Sequence, residues 1–271
     1  LTLPRLRRLS QALFLALFVL VLSKTEFRGA LRPNGIEFRL PYPARVFLET
    51  DPLIAVANAL ATRALYRGLL WSLGILIPTL FLGRFFCGWI CPLGTLHHLA
   101  SNIRLARKSG RQRIASNRYK PWQTFKYYLL FALLASALLG AALVGIFDPI
   151  ALAVRSFALS ILPAWNYALN ACGLPGFQAA HFRQSFPMGV ILIVILALNL
   201  RITRLWCRAA CPLGALLGLL SRWSMVGLEK HPADCGDCHR CLLHCQGGDD
   251  PIPGAPWRKA ECHLCMNCVA D

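Results

Sequence analysis

Cysteine supplies the most distinctive chemistry here, with twelve in 271 residues. Near the C-terminus the cysteines read Cys235-x2-Cys238-x2-Cys241-x3-Cys245 and then Cys262-x2-Cys265-x2-Cys268. Three thiolates on one tight loop can take three corners of an iron–sulfur cubane, leaving the fourth iron to a cysteine from elsewhere. In paired [4Fe–4S] sites with this spacing, the fourth cysteine of one run serves the other cluster. By that rule Cys245 joins Cys262, Cys265 and Cys268, while Cys235, Cys238 and Cys241 need a ligand beyond Asp271. Zinc is the competing occupant, since paired Cys-x2-Cys steps also build ribbons. Two successive three-cysteine runs argue for iron, and disulfides suit a reducing compartment poorly.

Four more cysteines form a repeated element: Cys87-Gly88-Trp89-Ile90-Cys91-Pro92-Leu93-Gly94 and Cys207-Arg208-Ala209-Ala210-Cys211-Pro212-Leu213-Gly214. Helical spacing would put both thiols of a pair on one face, but Pro after the second cysteine disfavours helix there, so each motif reads as a helix end followed by a turn. Cys87, Cys91, Cys207 and Cys211 could ligate an additional iron or iron–sulfur centre, form redox-active disulfides, or be inert buried thiols.

His97 and His98 could touch a haem or quinone, although adjacent residues cannot share one helix face, and interface packing is the plainer reading. His181 could line a quinol site or sit in a solvated loop. His239, His244 and His263 lie inside the cluster loops, where they could tune potential through hydrogen bonds to sulfur or simply be exposed. Cys172 has no sequence partner and reads as structural. Dinucleotide, phosphate-loop, nucleophile-elbow and c-type haem motifs are absent.

The elements that must position these residues are apolar. Hydrophobic residues make up 56% and charged residues 15% of the chain, a membrane composition rather than a globular one. The net charge of +17 gathers beside apolar runs, which points to membrane topology and away from nucleic acid. Four runs are expected to span: about Leu9 to Ser23 and on to Phe27, Leu65 to Phe86, Tyr127 to Phe147, and Phe186 to Leu205, against the roughly 20 residues a span needs. The segment between Arg84 and Lys126 is basic without an acidic residue, so it is expected in the cytoplasm, with the N-terminus and the cysteine-rich tail. Trp71, Trp122, Trp165, Trp206 and Trp223 suit interfacial anchors.

Asp51-Pro52 and Asp148-Pro149 each open an apolar stretch before a span and a cysteine motif. Each carboxylate is expected to cap a helix whose first residue is Pro, in preference to a proton path. The fold class expected is all-α membrane protein, with about four transmembrane helices in two parallel repeats (about 1–125 and 126–228) and a small C-terminal iron–sulfur domain over 229–271. The repeats should be related along the membrane normal, which brings the two motifs together at the cytoplasmic interface. Both ends read as cuts from a longer protein, since the chain opens on Leu1 and stops inside a cysteine run.

Gly83-Arg84-Phe85-Phe86-Cys87-Gly88-Trp89-Ile90-Cys91-Pro92-Leu93-Gly94, a second Cys-x3-Cys-Pro and the tandem tail motifs together resemble the NapH/NosR type of membrane iron–sulfur protein. The resemblance covers nearly the whole chain. It implies a multi-pass inner-membrane protein with two ferredoxin-like [4Fe–4S] clusters in the cytoplasm, passing electrons between the quinone pool or a cytoplasmic donor and a respiratory partner. Such a subunit relays electrons and leaves the final catalysis to its partner. Members similar in motif include maturation factors, so a redox assembly or regulatory factor for a metalloenzyme is the alternative. A membrane scaffold with structural zinc is the plainest competitor.

Overall fold

The computed structural model describes residues 2–24, 42–64, 68–105, 109–141, 143–173, 185–228, 239–249 and 257–270. The described chain is helical; its single ladder contact is an isolated bridge between Arg118 and Asp249. The first half runs through α1 (Leu3–Lys24), α2 (Tyr42–Glu49), α3 (Pro52–Thr62), α4 (Leu69–Leu82), α5 (Phe85–Trp89), α6 (Pro92–Leu105) and α7 (Gly110–Asn117). The second half runs through α8 (Phe125–Leu138), α9 (Val144–Phe147), α10 (Pro149–Ser156), α11 (Leu162–Ala171), α12 (Ser185–Leu198), α13 (Leu205–Ala209) and α14 (Pro212–Leu220). Two short turns, α15 (Arg240–Leu243) and α16 (Asn267–Ala270), belong to the cysteine-rich tail.

Only α1 is long and apolar enough among the described helices to cross a bilayer by itself, over Leu3–Ser23. The helices in the other three expected runs are shorter. Each of α4, α8 and α12 holds 14 residues, or about 21 Å at 1.5 Å per residue, against a hydrocarbon core of about 30 Å. Local backbone explains two of the stops. Gly83 takes φ 78° and closes α4 on the Thr79 carbonyl, while Gly140 takes φ 86° just beyond α8. Both conformations suit a residue without Cβ.

The Asp-Pro steps behave as anticipated. Asp51 Oδ1 accepts from the Leu53 and Ile54 amides at 2.8 and 3.3 Å, and Asp148 Oδ2 accepts from Ala151 at 2.8 Å. The other oxygen of each carboxyl is buried without a hydrogen-bond partner, and the two side chains lie within electrostatic reach of each other. Burial first, and the neighbouring Asp148 second, push Asp51 well above the ordinary carboxylate range; burial raises Asp148 as well. One proton between the pair satisfies both free oxygens.

Packing crosses the sequence halves. Helix α3 lies against α4, α8 and α14, while α10 lies against α6, α9 and α12. A single apolar cluster joins them, including Leu53, Cys87, Cys91, Leu93, Ile150, Cys211 and Leu213. The polar pattern is inverted relative to a water-soluble bundle. Arg7, Gln11, Ser72, Thr79, Lys126 and Asn199 point inward, whereas Leu13, Leu70, Phe131, Phe186 and Ile193 are exposed.

Candidate iron–sulfur site

Each Cys-x3-Cys-Pro motif is a short helix followed by a fresh helix start. Cys87 lies in α5 and Cys207 in α13; the chain then extends so that Cys91 and Cys211 precede Pro92 and Pro212, the first residues of α6 and α14. Pro is favourable there because its missing amide hydrogen would have been unpaired anyway. The amides of Gly94 and Gly214 point back to Cys91 Sγ and Cys211 Sγ at 3.4 and 3.2 Å. All four thiols are buried and lie within electrostatic reach of one another. Burial pushes the Cys91 and Cys211 thiols well up and Cys207 to about 11. As free thiols they stay protonated near neutrality; a coordinating metal displaces the proton. The cysteines among the described residues carry no disulfide.

The tail is docked on the first of these motifs. Trp89 Nε1 donates to the Leu264 carbonyl at 2.9 Å. A Cβ on Gly88 would run into the His263 carbonyl oxygen, well inside the 3.0 Å that real Cβ atoms respect. Helix α1 holds the other side of the same loop: Gln11 Nε2 donates to the Gly88 carbonyl at 2.7 Å and Ser10 Oγ to that of Trp89 at 3.1 Å.

Within the tail, Cys245, Cys262 and Cys265 share one electrostatic neighbourhood, and Cys268 feels Cys241, Cys262 and Cys265. Cys245 Sγ accepts from the Gly248 amide at 3.3 Å and Cys262 Sγ from Leu264 at 3.4 Å. Leu264 and Met266, on either side of Cys265, both adopt left-handed backbone, with φ 47° and 54°. His239, which follows Cys238 as Met266 follows Cys265, has φ 49°. Such conformations are costly for residues with a Cβ and persist where surroundings impose them. Here they wind the cysteine run around a point. Sulfur atoms receiving amide hydrogens on a wound loop are the donor set that a [4Fe–4S] cluster takes. Among the described residues, no three His, Cys, Asp or Glu side chains converge tightly enough for a single metal ion; a cubane instead spreads its thiolates over separate irons.

Cys235 and Cys238 lie outside the described residues, as does His181. His97 is buried, its Nδ1 paired with Asn199 Nδ2 and its Nε2 without a partner. His98 faces elsewhere, meeting Gln246 Nε2 at 2.9 Å and Arg7 Nη2 at 3.4 Å. Burial lowers both to about 3, which keeps them neutral. Between them they tie α6 to α12, α1 and the tail, the packing role expected of them. His263 is buried rather than exposed, with both ring nitrogens unpartnered. His244 offers its carbonyl to Asn267 Nδ2 at 2.9 Å. Cys172 is exposed at the end of α11; of the five tryptophans expected as anchors, Trp71, Trp122, Trp165 and Trp223 are exposed, whereas Trp206 is half-buried with its Nε1 unpartnered.

The sequence reading missed a shell of buried charge. Glu261 pairs with Lys126, lies 3.7 Å from Arg84, and accepts from Tyr127 Oη at 3.1 Å. Arg208 lies beside Cys245 and donates to the Ser116 and Arg118 carbonyls at 3.2 and 2.9 Å. Arg7 lies against Cys265. The one available signal was positional, since Arg84 and Arg204 each stand three residues before the first cysteine of a motif.

A family described as "4Fe-4S binding domain" matches the chain twice, over residues 64–112 and 184–230, so each match contains one Cys-x3-Cys-Pro motif. The ferredoxin-type protein NapH of Haemophilus influenzae is 30% identical over 284 residues, covering 97% of this chain and 84% of that protein. The putative electron transport protein YccM of Escherichia coli is 28% identical over 91% of this chain. The regulatory protein NosR of Pseudomonas aeruginosa is 25% identical over 96% of it. The chain spans 63% of the length of YccM and 36% of that of NosR. No solved structure matches. The motif order, the doubled 4Fe-4S match and the near full-length likeness to NapH agree, and the chain belongs to the NapH/NosR-type family of ferredoxin-like iron–sulfur electron-transfer proteins.

Proposed function

We propose that this protein is a multi-pass inner-membrane relay that moves single electrons between the quinone pool or a cytoplasmic donor and a respiratory redox partner. In this reading residues 1–228 form a duplicated membrane part and residues 229–271 a ferredoxin-like domain on the cytoplasmic face. One [4Fe–4S] cluster is held by Cys245, Cys262, Cys265 and Cys268, and Cys235, Cys238 and Cys241 supply three ligands of a second. Cys87, Cys91, Cys207 and Cys211 hold a further iron–sulfur centre. The clusters supply the one-electron chemistry.

The observation that carries the relay is the contact between tail and motif. Gly88 and Trp89, within the Cys87–Cys91 loop, touch the backbone of His263 and Leu264, within the Cys262–Cys265 loop. Two redox loops in van der Waals contact suit electron passage without a mobile carrier. The protein's own part is to fix that contact, exclude water from buried thiols, and aim the Gly94, Gly214, Gly248 and Leu264 amides at sulfur, which sets potential. Membrane embedding is supported by the inverted polarity of α1, α4, α8 and α12, whose outer faces form apolar patches no soluble monomer tolerates. The duplication is supported by the two family matches and the paired Asp-Pro caps.

The test is iron and acid-labile sulfide content with low-temperature electron paramagnetic resonance on the anaerobically purified protein, before and after addition of quinol. Iron beyond two clusters, with a signal lost in Cys91→Ser and Cys211→Ser, is the expected result. Unchanged iron and redox signals in those variants would sink the third centre. Stoichiometric zinc without iron would overturn the relay itself.

A further inference from the structure

The relay reading leaves two fully buried arginines unexplained. Arg84 and Arg204 each precede one Cys-x3-Cys-Pro motif, and each lies within electrostatic reach of cysteines in both motifs. Arg204 Nη1 donates to the Cys87 carbonyl at 2.8 Å and stands 3.7 Å from where a Gly94 Cβ would be. Arg84 Nη2 stands 2.8 Å from where a Gly214 Cβ would be, and its Cδ 3.7 Å from that of Gly218. Gly94 and Gly214 are therefore the gaps through which the opposing arginines reach the thiols. Arg204 takes φ 52° to make its approach, a strained conformation for a residue with a Cβ.

These cations are under-satisfied. Both are 0% exposed. Nε and Nη2 of each find no acceptor, and no carboxylate pairs with Arg204 among the described residues. Arg84 has Glu261 at 3.7 Å and the Ala260 carbonyl at 2.7 Å, but Glu261 is already engaged by Lys126. Three cations against one carboxylate leave two positive charges in a dry interior, where unpaired charge is strongly disfavoured. Something dianionic has to sit there. Four neutral thiols contribute no charge, and neither do two disulfides. Four thiolates around a cubane core of charge 2+ contribute two negative charges, which balances the surplus.

We infer that Arg84 and Arg204 are a pair of positioning residues that neutralise a dianionic iron–sulfur centre on Cys87, Cys91, Cys207 and Cys211, each bridging the two motifs. The inference rests on the reading of these four cysteines as a ligand set and deepens it. The pair has an electrical consequence. Adding an electron to an anionic centre is favoured by a fixed neighbouring cation, so the arginines hold the potential up.

The experiment is a redox titration of the third centre, followed by electron paramagnetic resonance, on the full chain purified anaerobically in detergent. Wild type is compared with Arg204→Gln, Arg204→Lys and, as a separately folding variant at the other motif, Arg84→Gln. Loss of one charge is expected to weaken reduction at least about tenfold, a downward shift of about 59 mV for a one-electron couple. Arg204→Lys restores most of it, and the tail clusters keep their iron. If the third centre is present but its potential is unmoved in both glutamine variants, the clamp is wrong and the ligand set stands. If wild type holds no iron beyond the tail clusters, the ligand set is wrong and the clamp goes with it.

Discussion

Gly88→Ala probes the joint on which the relay depends. A Cβ at residue 88 would lie well inside 3.0 Å of the His263 carbonyl oxygen. The obstacle is backbone, so relief requires the tail to move away from the first cysteine motif. Overpacking of this kind costs about 1–3 kcal/mol, offset by up to about 1 kcal/mol of helix propensity gained over glycine. A net loss of about 1–2 kcal/mol is roughly a five- to thirtyfold shift towards an undocked tail. Hydrogen–deuterium exchange across residues 257–270 reads this directly, with thermal bleaching of the cluster absorbance as a second readout. Gly74→Ala is the matched control: it lies in α4 with nothing within 4 Å of its added methyl, and is expected to be neutral or slightly stabilising. Exchange and bleaching in Gly88→Ala indistinguishable from Gly74→Ala would refute the docked arrangement.

Other sites give independent checks. Glu261→Gln strips the buried Lys126 and Arg84 of their carboxylate, and removing one partner of a buried pair costs about 3–5 kcal/mol; the measurement is the temperature at which cluster colour is lost, and a drop too small to resolve would contradict the pairing. Asp51→Ala removes a helix cap worth about 0.5–2 kcal/mol, whereas Asp51→Asn keeps it. The same pair fixes a pH dependence. Because the folded Asp51 holds its proton above the ordinary value of 3.8, folding takes up a proton, and stability falls as pH rises from 3.8 through the raised folded value. Asp51→Asn should flatten that slope and abolish the infrared carbonyl band of the protonated carboxyl between pH 3.8 and the raised folded value; persistence of the band would place the proton elsewhere.

Local chemistry in this chain was legible because the residues concerned act on their immediate neighbours. Asp followed by Pro can only cap and open a helix well, and both Asp-Pro steps do so. Cysteine before Pro ends one helix and begins another, and both motifs do so. Adjacent histidines diverge by the turn of the helix, and His97 and His98 meet different partners. Helix length was harder to read. Two apolar runs of span length end early, because Gly83 and Gly140 stop α4 and α8 with conformations that hydropathy does not weigh. A polar stripe inside an apolar helix is equally invisible to averaging: Arg7, Ser10 and Gln11 read as the flank of a span, and only the fold turns them onto the tail and the first motif.

Charge shows most clearly where sequence logic ends and three-dimensional logic begins. Basic residues beside apolar runs were all assigned to topology, and for exposed ones such as Arg201 and Arg222 that assignment is adequate. Arg84, Arg204 and Arg208 stand in the same sequence context but are 0%, 0% and 1% exposed. A guanidinium at a bilayer interface is satisfied by water and lipid headgroups, whereas one in the interior needs an anion of comparable charge density. Few carboxylates are on hand to supply it, for the chain has only 12 acidic residues against 29 basic ones. In a reduced interior sulfur is a further source of negative charge, and iron coordination fixes that charge by displacing the thiol proton. In the proposed centre the excess of buried arginine and the excess of cysteine answer one requirement, because guanidinium and thiolate charge balance only together.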